Sequence, residues 1–198
     1  MSPSGQQGRK PRADVQRNRA ALLEAAQRHF LKFGVGTSLE AVAKDAGVGP
    51  GTLYRHFPTR EALLAAVLQT RSEELVARQE EIARLGDADE ALEQWLRALE
   101  EYFSAFSGLP EPLMAAAQAQ DPDNPLRLPC DTVITATEEY VRAAQRAGYV
   151  RASVKGYDLF LAALSVAWLK GAGAADAESL DRVRQLIATG YRERDIQE

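Results

Sequence analysis

The chain is poor in the residues that build covalent cross-links and metal centres. Its 198 residues hold one cysteine, Cys130, so no intramolecular disulfide can form. Two histidines, His29 and His56, complete the thiolate and imidazole inventory, too few for a zinc-type site. The longest nearly apolar run, residues 159–169, is eleven residues interrupted by one serine. A bilayer span needs ~20, so no membrane partner is expected. The opening residues are polar and carry no apolar stretch of the signal-peptide kind, so the expected location is the cytoplasm. No period-two alternation is long enough for a strand.

Phosphate-loop and nucleophile chemistry are absent too. Gly47, Gly49 and Gly51 lack the four-residue spacing and the following Lys-Ser/Thr of a P-loop, and no strand precedes them. His29 reads as a partly exposed helix residue beside Phe30, and His56 falls in a helix with another explanation, so neither is placed as a general base. Acids such as Glu73, Glu74, Glu80 and Glu81 run along helix faces as solvated surface. An enzyme is not expected, nor is a cofactor.

What is present is an uneven charge. The net charge is −4, which alone argues against a nucleic-acid partner. Residues 1–60, however, carry ten lysines and arginines against four acids, net +6, leaving −10 on the remainder. A basic head on an acidic body suits a chain that meets a polyanion with one end.

Helical periodicity fills the chain. Residues 1–13 read as a disordered arm; its Arg9-Lys10-Pro11-Arg12 is either a solubilising tail or an arm that follows the DNA backbone or minor groove. A first helix carries Leu22, Leu23, Ala26 and Phe30 and stops at Gly34. A second begins at Thr37 or Ser38, Thr37 with Glu40 matching a capping box, and ends at Gly47. A third opens at Gly49-Pro50 and ends near Phe57, and Thr59 caps a long fourth. Leu53 and Phe57, four apart, share one face of the third helix and require burial. Gly51 and Arg55 fall nearly opposite, flanked by Thr52 and Tyr54. A helix this short is not stable alone, so neighbours must hold it while its other face is offered outward. Residues 14–60 thus form a three-helix helix-turn-helix domain, and 61–198 a larger helical domain. In the latter, Asp87 or Asp89 caps a helix running past Phe106, a loop spans residues 121–129, and helices follow over about 131–147, 155–170 and 177–194.

The segment from Thr37 to Leu63, with its Thr52-Leu53-Tyr54-Arg55-His56-Phe57 core in phase with Gly47-Val48, closely resembles the DNA-binding segment of the tetracycline-repressor (TetR) family. That resemblance covers about residues 15–65. It implies an all-α homodimer whose two third helices enter successive major grooves of a palindromic operator. It further implies phosphate contacts by Tyr54 and His56, a backbone or base contact by Thr52, and a phosphate meeting a helix N-terminus at Thr37 or Ser38. Arg60 stands where the family usually has lysine, in a phosphate role. Gly49 departs from the usual hydroxyl cap, and Gly49, Pro50 and Gly51 complete the expected DNA-facing set. Arg55 is either a bidentate guanine reader or a phosphate contact.

In the larger domain Trp95, Tyr102, Phe103, Phe106, Met114 and Tyr140 serve either as core or as the lining of an apolar pocket for a small-molecule effector. Phe160, Ala163, Leu164, Ala167 and Trp168, with Val183, Ile187 and Tyr191, serve either as core or, as the resemblance suggests, as a four-helix dimer interface. The reading is a ligand-responsive transcriptional regulator, a repressor by preference. The alternative is a helical small-molecule-binding or catalytic protein with a vestigial DNA-binding head.

Overall fold

Residues 10–119 and 121–193 are described by the structure, a computed structural model. Among the described residues nine helices follow one another: α1 (Lys10–Phe33), α2 (Leu39–Asp45), α3 (Pro50–His56), α4 (Arg60–Ile82), α5 (Ala88–Phe103), α6 (Pro110–Gln118), α7 (Arg127–Arg146), α8 (Gly156–Gly171) and α9 (Ala177–Tyr191). The one departure from helix pairing among them is an isolated antiparallel bridge between Val150 and Arg192. The fold is all-α.

α1 buries Leu22, Ala25, Ala26 and Phe30, spaced to fall on one face, and ends at Gly34 with φ +78°. It begins at Lys10, so the boundary expected at residue 13 falls inside a helix. The disorder expected of residues 1–9 lies outside the described residues.

α2 is capped by Ser38, whose hydroxyl accepts the Ala41 N–H at 3.2 Å. The expected Thr37–Glu40 capping box does not form; the Thr37 hydroxyl lies 3.4 Å from His29 Nδ1 instead. His29 is correspondingly more buried than expected, wedged between Thr37 and Asp45. Gly47, at φ +71°, lets the chain turn so that the Val48 N–H reaches the Ala43 carbonyl at 3.0 Å.

α4 starts on Thr59, whose hydroxyl accepts the Ala62 N–H. Its Leu63, Leu64, Val67 and Leu68 are buried in one cluster with Leu22, Phe30, Val42, Leu53 and Phe57. That cluster continues without a break into Trp95, Leu99, Phe103, Phe160 and Leu164. Head and body therefore share one core. α5 ends at Phe103, so Phe106 sits in the following turn rather than on the helix. There it is still buried, edge-on to Phe30 at 5.8 Å and beneath the Arg71 guanidinium at 5.3 Å.

α7 starts at Arg127, earlier than expected, inside the proline-containing stretch. Pro129 is its third residue, where the missing N–H would have had no partner within the helix.

α8 is the central helix. Phe160, Ala163, Leu164 and Ala167 are buried within the subunit, Phe160 edge-on to Phe103 at 5.6 Å. Tyr191 is buried as well. These five residues, assigned above to a dimer interface, are corrected to intramolecular core, because their faces are already covered by the chain's own helices.

A second contact binds head to body beside α4. The Val35 N–H donates to the Ser107 carbonyl at 2.9 Å, and a Cβ added to Gly34 would stand 2.7 Å from that oxygen. With positive φ and no room, Gly34→Ala should cost about 1–3 kcal/mol of stability in urea denaturation. Gly49→Ala, at φ −76° in open space, should stay within about 0.5 kcal/mol of the parent.

Candidate nucleic-acid interface

α3 has seven residues, with Gly49 as N-cap, no side-chain cap bond, and Pro50 at its first position. Leu53 is fully buried and Phe57, just past the helix, nearly so. The Arg19 guanidinium packs 5.4 Å from the Phe57 ring. The opposite side is open: Gly49, Pro50, Gly51, Tyr54 and Arg55 are exposed, and Thr52 and His56 half-buried. Ser38 and Glu40 of α2 are exposed as well, and Thr37 is half-buried. The fold thus brings the N-terminus of α2 and the free face of α3 together, Tyr54 and Glu40 being hydrogen-bonded.

Two expected contacts are engaged elsewhere. Arg60, expected to meet phosphate, points its Nη1 at the Val35 and Thr37 carbonyls at 2.6 and 2.7 Å. It fastens the start of α4 to the α1–α2 turn. Arg55 folds back along its own helix, Nε donating to the Gly51 carbonyl at 3.1 Å and Nη2 to the Thr52 hydroxyl at 3.5 Å. It remains exposed and can swing outward.

Glu40 was not singled out from sequence as part of this face, although it stands on the same first turn as Ser38. Its Oε1 accepts the Tyr54 hydroxyl at 3.1 Å and its Oε2 the Ser38 hydroxyl at 2.9 Å. Together with its own backbone N–H, these donors hold its carboxyl below the ordinary range, while the Tyr54 phenol is pushed up by the carboxylate it faces.

The chain is similar to known proteins along its length. Residues 22–67 match a family model described as bacterial regulatory proteins, tetR family. Residues 87–193 match one described as the C-terminal domain of SbtR-like transcriptional regulators, more than half of the chain. A solved TetR transcription regulatory protein from Mycobacterium vanbaalenii is 32% identical over 92% of this chain and 99% of that one, with a TM-score of 0.51. The TetR regulator SCO0520 from Streptomyces coelicolor is 33% identical over 88% and 98%, with a TM-score of 0.53. The chain belongs to the TetR family of DNA-binding transcriptional regulators. Among curated relatives, the HTH-type regulator UidR of Escherichia coli strain K12 is 36% identical over 66 residues, 33% of this chain and 34% of UidR. The chain spans about a third of the length of that relative.

In this TetR-family chain the aromatic residues of the body divide between two roles. A cavity of about 530 Å³ opens between α4, α5 and α7. Trp95 and Tyr102 line it, whereas Phe103 and Phe106 are buried core and do not. Met114 packs on the core from α6, away from the lining. Tyr140 backs the wall, stacked on Trp95 at 5.2 Å, its hydroxyl donating to the Gln79 carbonyl at 3.3 Å. The Trp95 indole N–H is taken by the Thr137 hydroxyl at 3.0 Å and the Tyr102 hydroxyl by the Leu68 carbonyl at 3.3 Å. Burial pushes the Tyr102 phenol up to about 12, so it stays a protonated donor. Gln69, Ser72, Gln79 and Thr132 also line the cavity, and Leu128 and Val76 stand exposed in its lining. The lining contains no ionisable group other than that phenol.

Sequence reasoning did not find the α4 side of this cavity. Among its residues there, beside longer ones such as Leu68, Gln69 and Gln79, are Ala62, Ala65 and Ala66, whose small side chains leave space instead of filling it.

A second cleft, of about 390 Å³, lies between α5, α8 and α9 and is crossed by ion pairs. Arg184 meets the buried Glu100 at 2.7 Å, and Arg192 meets Asp89 at 2.9 Å. Cys130 is buried, donates to the Leu113 carbonyl, and has its thiol pushed up to about 12, an inert thiol. No helix among the described residues is long and apolar enough to cross a membrane.

If Arg60 is a fastener, Arg60→Ala should lower stability by about 2 kcal/mol, because two carbonyls lose a charge-assisted donor. Arg60→Lys should recover part of it. Equilibrium urea unfolding of the three proteins checks this.

Proposed function

We propose that the chain is a repressor that binds a palindromic operator as a homodimer and is released by a small, uncharged, largely apolar effector. The observation that carries this reading is the divided surface of α3: Leu53 and Phe57 anchor it, while Thr52, Tyr54 and Arg55 face outward on a head of net positive charge. Two such helices related by a dyad suit major grooves ~34 Å apart. Tyr54 and His56, with the α2 turn at Thr37 and Ser38, meet phosphates, and Arg55 unfolds from Gly51 to read guanine.

For the dimer, burial redirects the reading to what α8 and α9 leave outside. Leu186 is 74% exposed and Trp168 45%, and Val183 is half-buried. A large exposed leucine and tryptophan at the end of the fold suit a self-complementary contact. Ile187 is half-buried and faces the second cleft, so it contributes to the subunit rather than to the contact.

The effector occupies the cavity between α4, α5 and α7. A ligand charge there would be desolvated without an opposite charge in the lining, so neutral molecules are favoured. α4 forms one wall of the cavity and carries Arg60 and Leu63 into the head. Ligand binding that favours a different tilt of α4 changes the spacing of the two α3 helices, a population shift away from the operator-binding state.

Selection of bound DNA from a random pool should yield an inverted repeat, with affinity falling steeply as salt rises. Arg55→Ala should cost about 1–3 kcal/mol concentrated at one position per half-site. Uniform weakening over all sequences would make Arg55 a phosphate contact, and only weak, sequence-blind binding by the parent would favour a vestigial head.

Calorimetry with three matched probes tests the cavity. 2-Naphthalenemethanol should bind about tenfold or more tighter than 2-naphthoate or 2-naphthylmethylammonium. Ala66→Trp, which fills the cavity, should abolish the difference. Sedimentation should give a dimer for the parent and a monomer for Leu186→Asp.

A further inference from the structure

The head carries an acid where a DNA-binding surface has least use for one. Asp45 is paired with Arg28 at 2.8 Å and Asp14 with Arg17 at 3.3 Å. Glu40 differs: its two oxygens are held by the neutral hydroxyls of Ser38 and Tyr54, and no ion pair within 4 Å joins it among the described residues. Arg60 lies near enough for its charge to favour the ionised carboxyl, but its Nη1 is fastened to the Val35 and Thr37 carbonyls and it makes no ion pair with Glu40 within 4 Å. Glu40 is therefore an ionised carboxylate without a contacting cation, exposed beside the free face of α3.

That position has two physical consequences. A tyrosine hydroxyl has one proton, and Tyr54 gives it to Glu40, so the same proton is withheld from a phosphate. A phosphate brought to Tyr54 also approaches an anion and is repelled.

We propose that Glu40 is a positioning residue that acts as an electrostatic brake on DNA binding. It occupies the Tyr54 hydroxyl in the free protein and yields it only to a phosphate seated well enough to replace a carboxylate. Loosely seated, sequence-independent complexes are penalised most, so Glu40 lowers overall affinity while raising discrimination between operator and bulk DNA. This inference rests on the reading of α3 as the DNA face.

The test uses the full chain, a 30-base-pair duplex of random sequence, and the duplex obtained by selection, with binding followed by fluorescence anisotropy over a range of salt. Glu40→Gln should tighten the random duplex about threefold to tenfold at low salt, and the selected duplex by less. The gain should shrink as salt rises, since the repulsion it removes is screened. Glu40→Ala should act in the same direction. Both should keep the parent's thermal midpoint, because Ser38 still caps α2 through Ala41. The pair Glu40→Ala with Tyr54→Phe should lose part of the gain, since alanine removes the acceptor and the hydroxyl it releases is then missing.

A role limited to holding α2 together would instead weaken both duplexes equally at every salt concentration, and that result overturns the brake. So does unchanged affinity of Glu40→Gln in a background where the parent binds with normal salt dependence. If the parent shows no salt-dependent binding at all, the reading of α3 falls, and the brake falls with it.

Discussion

The burial of Leu53 and Phe57 is the constraint on which the rest of the molecule depends. A seven-residue helix makes too few internal hydrogen bonds to persist in water, so α3 exists only because Leu53 within it and Phe57 just past its end are seated in a core built by α1, α2 and α4. Seating them fixes the helix's rotation. Once Leu53 and Phe57 point inward, Thr52, Tyr54 and Arg55 have no choice of side, and the outward chemistry of the head follows from its inward packing. The openness of Gly49 and Gly51 fits the same picture. An added Cβ at either would meet nothing in the free protein, so their small size is not required by the fold and is available to whatever approaches.

The same core ties the head to the cavity. α4 contributes Leu63, Leu64, Val67 and Leu68 to the packing of the head, and Ala65, Ala66 and Gln69 to the wall of the cavity. A rigid helix with one side in each place cannot tilt at one end alone. Two polar fasteners reinforce the join: Arg60 bonds two carbonyls of the α1–α2 turn, and Val35 bonds Ser107 in the α5–α6 turn. Phe106, sandwiched between Phe30 and Arg71, fills the space between them. The head therefore has two attachments to the body, one through α4 and one through the turn after α5. The cavity wall and α3 are thus joined by contacts that are bonded and packed, not by a flexible linker.

Helix positions and the open face of α3 were legible in the sequence because both are encoded locally. Thr59, Asp87 and Pro50 announce helix starts through chemistry that acts within three residues, and Gly34 and Gly47 announce ends through backbone geometry that a side chain resists. Where a local rule has two solutions, sequence could not choose. Thr37 and Ser38 both precede α2, and tertiary contact with His29 decided that Ser38 caps it. The body was less legible, since burial there is a matter of which helix lies between others. The stripe Phe160, Ala163, Leu164 and Ala167 has the same periodicity whether it meets a partner subunit or α5 and α7. The cavity escaped notice for a related reason. Aromatic residues draw attention, yet two of the five considered, Phe103 and Phe106, fill the core, while space is left in part by alanines on α4 that carry no signal of their own.

Charge is distributed so that each part of the molecule uses it for one purpose. On α9, arginines are spent as fasteners: Arg184 to the buried Glu100 and Arg192 to Asp89 hold a helix that buries little apolar surface, Leu180 and Tyr191 being its buried residues. Because the buried Glu100 loses hydration that offsets most of its attraction to Arg184, that bond selects where α9 docks more than it stabilises it, while the part-exposed Arg192–Asp89 pair is screened by solvent. The cavity has no opposing charges at all, so whatever enters is sorted by shape and by a few amide and hydroxyl groups. The head keeps its cations exposed and pairs Arg60, the one that resemblance would have sent to phosphate, with backbone instead. A guanidinium suits that task because its planar geometry fixes the directions of the two Nη1 hydrogens that face the two carbonyls. Arg60 thus serves the joint between head and body, and the outward face of the head is left to the exposed side of α3 and the first turn of α2.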